Sequence, residues 1–78
     1  MIASTVPGRI RIRSGRLKSR RIATAVREAA TALDGVNSAR VNTAAGSLVV
    51  TYDAAVNDGE ALEKKLEAVC LTAGREAV

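Results

Sequence analysis

The stretch that decides the fold is Arg9-Ile10-Arg11-Ile12-Arg13, in which arginine and isoleucine alternate strictly. A period of two is typical of a half-buried strand, because successive side chains of a strand point to opposite faces. Ile10 and Ile12 are therefore expected to face a core, and the three arginines to share the other face of a sheet. The preceding Pro7-Gly8 is a turn signal.

After this strand, the sequence pattern predicts a loop over residues 14–18 and then a helix. Ser19 is the expected N-cap, because its hydroxyl can accept a hydrogen bond from a backbone N–H of the first helical turn. Gly35 supplies the left-handed residue that ends the helix. The apolar stripe of this helix, at helical spacing, consists of Ile22, Val26, Ala29, Ala30 and Leu33.

Two further strands, residues 36–42 and 47–52, are predicted to form a hairpin around a turn at residues 43–46. Side chains two apart along each strand share a face, so one set joins the core and the other lies on the open side with the arginines. The inward set is Ala39, Val41, Leu48, Val50 and Tyr52, and the outward set is Arg40, Val49 and Thr51.

A second helix is expected to begin at Asn57 or Asp58, with Glu60 three residues after Asn57 as in a capping box. Gly74 ends this helix, and residues 75–78 are long enough for a short final strand. The apolar stripe of the helix consists of Leu62, Leu66, Val69, Cys70 and Ala73.

This order of elements predicts one α+β domain over residues 1–78. With right-handed crossovers, it gives a ferredoxin-like βαββαβ sandwich: a four-stranded antiparallel sheet with two helices on one face. The first and third predicted strands form the central pair. The other face of the sheet is left open, with the arginines on it.

The distribution of charged residues and the lack of histidine limit the classes of function that the chain can have. Residues 1–27 hold eight of the twelve basic residues and no acid, whereas residues 28–78 hold all eight acids. This asymmetry favours an anionic partner. With no histidine, and with carboxylates spread among lysines on the second helix, an enzyme is not expected. The single cysteine, the lack of a signal peptide and the absence of a long apolar run predict a cytoplasmic domain without a membrane span.

Four segments carry a resemblance to a known family: Pro7-Gly8-Arg9-Ile10-Arg11-Ile12, Gly35-Val36, Gly46-Ser47-Leu48-Val49-Val50-Thr51-Tyr52-Asp53, and Ala73-Gly74. Together they resemble the heavy-metal-associated (HMA) domain of copper and zinc chaperones and of metal-transporting P-type ATPases. The sequence is most similar to the degenerate, arginine-rich versions that precede some bacterial pumps. The resemblance implies a non-catalytic module at the cytoplasmic N-terminus of such an ATPase.

Metal-binding members of that family carry a Cys-x-x-Cys pair in the loop between the first strand and the first helix, where two thiolates can grip a soft cation. The corresponding loop here, Ser14-Gly15-Arg16-Leu17-Lys18-Ser19-Arg20, contains no Cys, His, Asp or Glu. Four basic residues in and beside it would repel a cation. We therefore expect no metal and no cofactor, and we expect Cys70 to be a buried core residue.

The leading hypothesis is electrostatic docking onto an acidic protein surface or onto anionic lipid headgroups. The residues assigned to it are Arg9, Arg11, Arg13, Arg16, Lys18, Arg20 and Arg21.

Three other interpretations stay open. The arginines can be a solvated face, as charge runs usually are. Two chains can share a metal through Cys70 in a homodimer that acts as a metal carrier. The domain can bind the phosphate backbone of a nucleic acid, although sequence-specific RNA recognition is disfavoured because the open face carries no aromatic residue for stacking.

Overall fold

The computed structural model describes residues 2–73. It contains a four-stranded antiparallel sheet in the order β1-β2-β4-β3, two α-helices, and a short 3-10 helix at Gly15–Lys18. The six main elements are β1 (Ile2–Val6), β2 (Arg9–Arg13), α1 (Arg20–Thr31), β3 (Val36–Asn42), β4 (Ser47–Tyr52) and α2 (Gly59–Thr72).

The predicted α+β sandwich is confirmed, with β2 and β4 as the central pair of the sheet. The three strands predicted from alternation have the predicted bounds. Alternate residues of β2 and β4 and the apolar stripes of both helices enter one core, so the two helices cover the same face of the sheet. The buried residues of this core are Ile10, Ile12, Leu17, Val26, Ala30, Leu48, Val50, Tyr52, Leu62, Leu66 and Cys70.

β1 is an additional strand that the sequence analysis does not predict. It pairs with β2 in a hairpin around Pro7-Gly8, where Gly8 has φ +84°. Glycine meets this positive φ at little cost, because it has no Cβ to clash. β1 thus occupies the sheet edge next to β2. The predicted final strand at 75–78, and Gly74 before it, lie outside the described residues.

Helix ends differ slightly from the expectations. Ser19 is the N-cap of α1, as predicted, and its Oγ accepts a hydrogen bond from the backbone N–H of Ile22. The helix ends earlier than predicted, at Thr31. Gly35 does have a positive φ, of +81°, but it turns the chain into β3 instead of capping the helix.

The N-cap of α2 is Asp58, one of the two predicted candidates. Its carboxylate accepts a bond from the N–H of Glu60, so the capping box around Asn57 is not formed. Asn57 instead donates its side-chain amide to the carbonyl of Asp34, at 2.7 Å. Within residues 2–73, neither helix is long and apolar enough to cross a bilayer.

Candidate functional site

The loop between β2 and α1 is a compact turn fixed at three points. The backbone N–H of Ser14 donates to the carbonyl of Gly46, at 2.9 Å, which ties the loop to the β3–β4 turn. The Oγ of Ser14 accepts a bond from the N–H of Arg16 and caps the 3-10 helix. Leu17 is fully buried in the core. The loop is therefore part of the folded body and not a free basic segment.

Arg16 points inward to the end of α2. Its Nε donates to the carbonyl of Cys70 at 2.9 Å, and a terminal guanidinium nitrogen donates to the carbonyl of Ala73 at 2.5 Å. The last carbonyls of a helix have no partner within the helix and carry the negative end of its dipole. A guanidinium satisfies both needs, so Arg16 is a C-terminal cap for α2.

This contact changes the status of Arg16 among the seven residues assigned to docking. A side chain that already bonds two carbonyls of its own fold is not presented to a partner. Lys18, Arg20 and Arg21, in contrast, are exposed. They lie around the start of α1, at the end of the sheet where β2 ends and β4 begins.

Arg20 and Arg21 occupy the first two positions of α1, and the first turn contains no acidic residue. Cations at a helix N-terminus oppose the helix dipole and are unfavourable for the helix itself. An anion bound close to Arg20 and Arg21 would remove this unfavourable interaction. The charge placement is thus easier to explain by a ligand than by helix stability.

The open face of the sheet holds the remaining predicted residues. Arg9, Arg11 and Arg13 alternate with buried isoleucines along β2 and are all exposed. Arg40 of β3 is also exposed, and it shares the partner Val49 with Arg11 on opposite sides of β4. The outward direction of Arg40 agrees with the alternation in the sequence, and the strand register adds this residue to the basic face beside the β2 arginines.

Acidic residues are segregated from these cations. The four strands contain no Asp or Glu. The described acids lie in the second half of α1, in the loops near Tyr52, where β4 ends, and on α2; they are Glu28, Asp34, Asp53, Asp58, Glu60, Glu63 and Glu67. The imbalance along the sequence thus becomes an imbalance between surfaces, since the open sheet face and the end near Lys18 are basic.

The residues present do not fit a heavy metal. Within residues 2–73, no group of three or more His, Cys, Asp or Glu side chains could hold a metal ion. In the loop, the guanidinium of Arg16 extends to the end of α2, so a fixed positive charge lies beside the only thiol. A soft cation would meet repulsion there and a single sulfur ligand.

Cys70 is fully buried on the inner side of α2. Burial raises the pKa of its thiol, the Arg16 guanidinium acts in the opposite direction, and Glu67 adds a smaller increase. Because desolvation is the largest of these effects, the thiol stays protonated near neutral pH. A protonated, enclosed thiol is a poor nucleophile and a poor metal ligand.

Comparison with known families agrees with the resemblance seen in the sequence. The model of the family described as Heavy metal associated domain 2 matches residues 1–73, which is nearly the whole chain. Comparison with curated proteins and with solved structures finds no match. On the strength of this match, supported by the sheet and helix arrangement described above, the chain belongs to the Heavy metal associated domain 2 family.

Proposed function

We propose that this domain is a non-catalytic interaction module that binds an acidic surface of a partner protein. Six of the seven residues assigned from the sequence carry the proposal: Arg9, Arg11, Arg13, Lys18, Arg20 and Arg21. Arg16 is left out, since it caps α2. The observation that supports the proposal best is the segregation of charge: the exposed cations lie on strands, in a loop and in the first turn of α1, and none of these contains an acid.

A solvated face alone would not favour this distribution. Basic residues placed for solubility are usually interspersed with acids, because mixed charges lower self-repulsion. Here Arg20 and Arg21 lie together at the positive end of a helix dipole, and three arginines lie in line on β2. Both arrangements are repulsive until an anion binds. Electrostatic complementarity of this kind increases association rates and selects partners by charge.

The proposed setting is the cytoplasmic N-terminus of a metal-transporting P-type ATPase. The family match and the resemblance to arginine-rich domains of such pumps support this setting. In that setting the acidic surface would belong to the pump or to a protein that delivers its substrate. Reading the coding sequence immediately downstream tests the setting directly, since a pump encoded there supports it and an unrelated product refutes it.

The docking proposal is tested with a fluorescein-labelled decapeptide of glutamate as the probe. The variant is Lys18→Glu with Arg20→Glu, and the control is Lys64→Glu with Lys65→Glu on α2, where both lysines are exposed. Each pair changes the net charge equally. We expect about tenfold weaker binding for the first pair at low salt and a clearly smaller loss for the second.

Equal losses in the two variants would mean that only net charge matters, and they would refute a defined basic surface. Vesicles containing phosphatidylserine and a labelled single-stranded oligonucleotide are measured in parallel. Tighter binding to either of these than to the peptide would refute the assignment to a protein partner. Steep weakening with salt is expected for every one of these probes and does not discriminate among them.

A further inference from the structure

The open face of the sheet is a trough whose floor is the central strand β4. The residues that β4 presents there are small: Ser47, Val49 and Thr51. The walls are long arginine side chains. On the β2 side, the wall consists of Arg9, Arg11 and Arg13, which pair with Thr51, Val49 and Ser47 of β4. On the β3 side, Arg40 pairs with Val49. A depression of about 400 Å³ lies here, lined by residues that include Arg9, Arg11, Arg40, Asn42, Ser47 and Val49.

The chemistry of the trough is specific for carboxylate or phosphate. All charged residues of the four strands are arginines, with no lysine and no acid among them. A guanidinium is a planar fork that binds a carboxylate through two parallel hydrogen bonds, whereas an ammonium acts as a point charge. The half-buried methyl groups of Val49 give the floor an apolar centre. The trough is therefore suited to a ligand with anionic sides and a slender middle.

The spacing of the arginines matches an extended peptide. Alternate residues of an antiparallel strand are about 6.8 Å apart, so this is the repeat from Arg9 to Arg11 to Arg13. An extended ligand has the same repeat, and its alternate side chains would meet successive arginines in register. The two walls are separated by two strand spacings, about 9.6 Å between backbones. An α-helix, about 10–12 Å across with its side chains, is too wide to reach the floor.

We infer that the open sheet face binds an extended acidic segment of a partner protein, with carboxylates at alternate residues paired to the β2 arginines and opposite side chains facing Arg40. The inference rests on the proposed function and adds the form of the partner. A nucleic acid fits this face less well, because the only aromatic residue, Tyr52, is in the core and leaves no platform for bases. A flat lipid surface would not reach the floor of a trough.

The test compares two labelled peptides of identical composition. In the first, glutamate and serine alternate as Glu-Ser-Glu-Ser-Glu-Ser-Glu; in the second, the four glutamates are contiguous and the three serines follow. Each peptide is titrated into the wild-type domain, into Arg11→Ala with Arg40→Ala, and into Arg27→Ala. Arg27 is exposed on α1, outside the trough, and provides the control.

We expect the alternating peptide to bind several-fold more tightly than the contiguous one. Loss of Arg11 and Arg40 together should weaken the alternating peptide about tenfold and remove the difference between the peptides, whereas Arg27→Ala should leave that difference unchanged. If both peptides bind equally and both are weakened by Lys18→Glu with Arg20→Glu, the trough is refuted while the proposed function stands. If neither peptide binds at low salt, both are refuted.

Discussion

Removal of the Arg16 side chain is expected to destabilise the domain strongly, although the residue lies in a basic loop. In Arg16→Ala the carbonyls of Cys70 and Ala73 lose their donors, which lie at 2.9 and 2.5 Å. A hydrogen bond from a charged donor contributes about 1.5–3 kcal/mol when it is sheltered. Arg16 is only partly buried, so water can replace part of each bond, and about 1 kcal/mol remains for each.

Two such bonds, with the lost interaction between a cation and the helix dipole, give a destabilisation of about 2–3 kcal/mol. A folded chain of 78 residues is expected to have a free energy of unfolding of about 4–12 kcal/mol. The change therefore removes a large share of the stability. At about 4–8 °C per kcal/mol for a chain of this size, Tm should fall by roughly 8–24 °C.

Urea unfolding followed by circular dichroism measures the effect, and the slope of the transition shows whether unfolding stays two-state. Arg16→Lys keeps the charge but loses the fork, so about half of the loss is expected. Lys18→Ala, at an exposed neighbour, is the matched control and should change stability by no more than about 0.5 kcal/mol. If Arg16→Ala is as stable as Lys18→Ala, the capping role is wrong and Arg16 returns to the docking residues.

Three further outcomes are expected. Gly35→Ala should lower the free energy of unfolding by about 2 kcal/mol or more, because φ is +81° and a Cβ would collide with the side-chain amide of Asn57. The neutral control is Gly15→Ala, where a Cβ meets nothing within 4 Å. Equal stability of the two variants in urea would contradict the steric argument. Burial raises the pKa of Cys70 from its ordinary value of 9.0, so above pH 9.0 the folded state keeps a proton that the unfolded state loses, and stability should fall as pH rises. The fall should be shallower in Cys70→Ala. If the urea midpoints of the two proteins fall in parallel with pH, the contribution of Cys70 is refuted. Zn(II) or Cu(I) titrated into the reduced domain should show no stoichiometric binding, and binding abolished by Cys70→Ser would overturn the metal-free assignment.

Strand positions could be predicted from the sequence wherever one face is apolar and the other polar. The alternation at Arg9–Arg13 and the hairpin around residues 43–46 each fix which residues face inward, and burial agrees with the pattern in β2. β1 is different, because Ile2–Val6 has no clear alternation of polar and apolar residues. The sequence offers only two cues there: the turn signal Pro7-Gly8 and, before it, a short run rich in β-branched residues. Those two cues together are the signal that could have predicted the hairpin.

The positive charge of the candidate site could be predicted from the sequence, but which basic residues bond within the fold and which are exposed could not. Arg16 and Lys18 look equivalent as letters, yet Arg16 bonds Cys70 and Ala73, which are 54 and 57 residues further along the chain. Contacts at that separation depend on how α2 crosses the sheet, and local spacing carries no information about it. Arg40 differs from Arg16, because alternation along the predicted hairpin already places it on the open face, and the register adds only that it lies opposite Val49.

The hairpin that places β1 beside β2 also affects how the chain reaches its native state. Both β1–β2 and β3–β4 pair through short turns, and only the β2–β4 pairing must bridge α1 and β3. Local pairings close small loops and form quickly, so we expect the sheet and α1 to assemble early. We expect the helix α2 to add its core residues last, and its final turn is held by the hydrogen bond from Arg16 to the carbonyl of Cys70. We therefore expect the loss of that bond to be the first step of partial opening, and amides of α2 to exchange with solvent before those of β4.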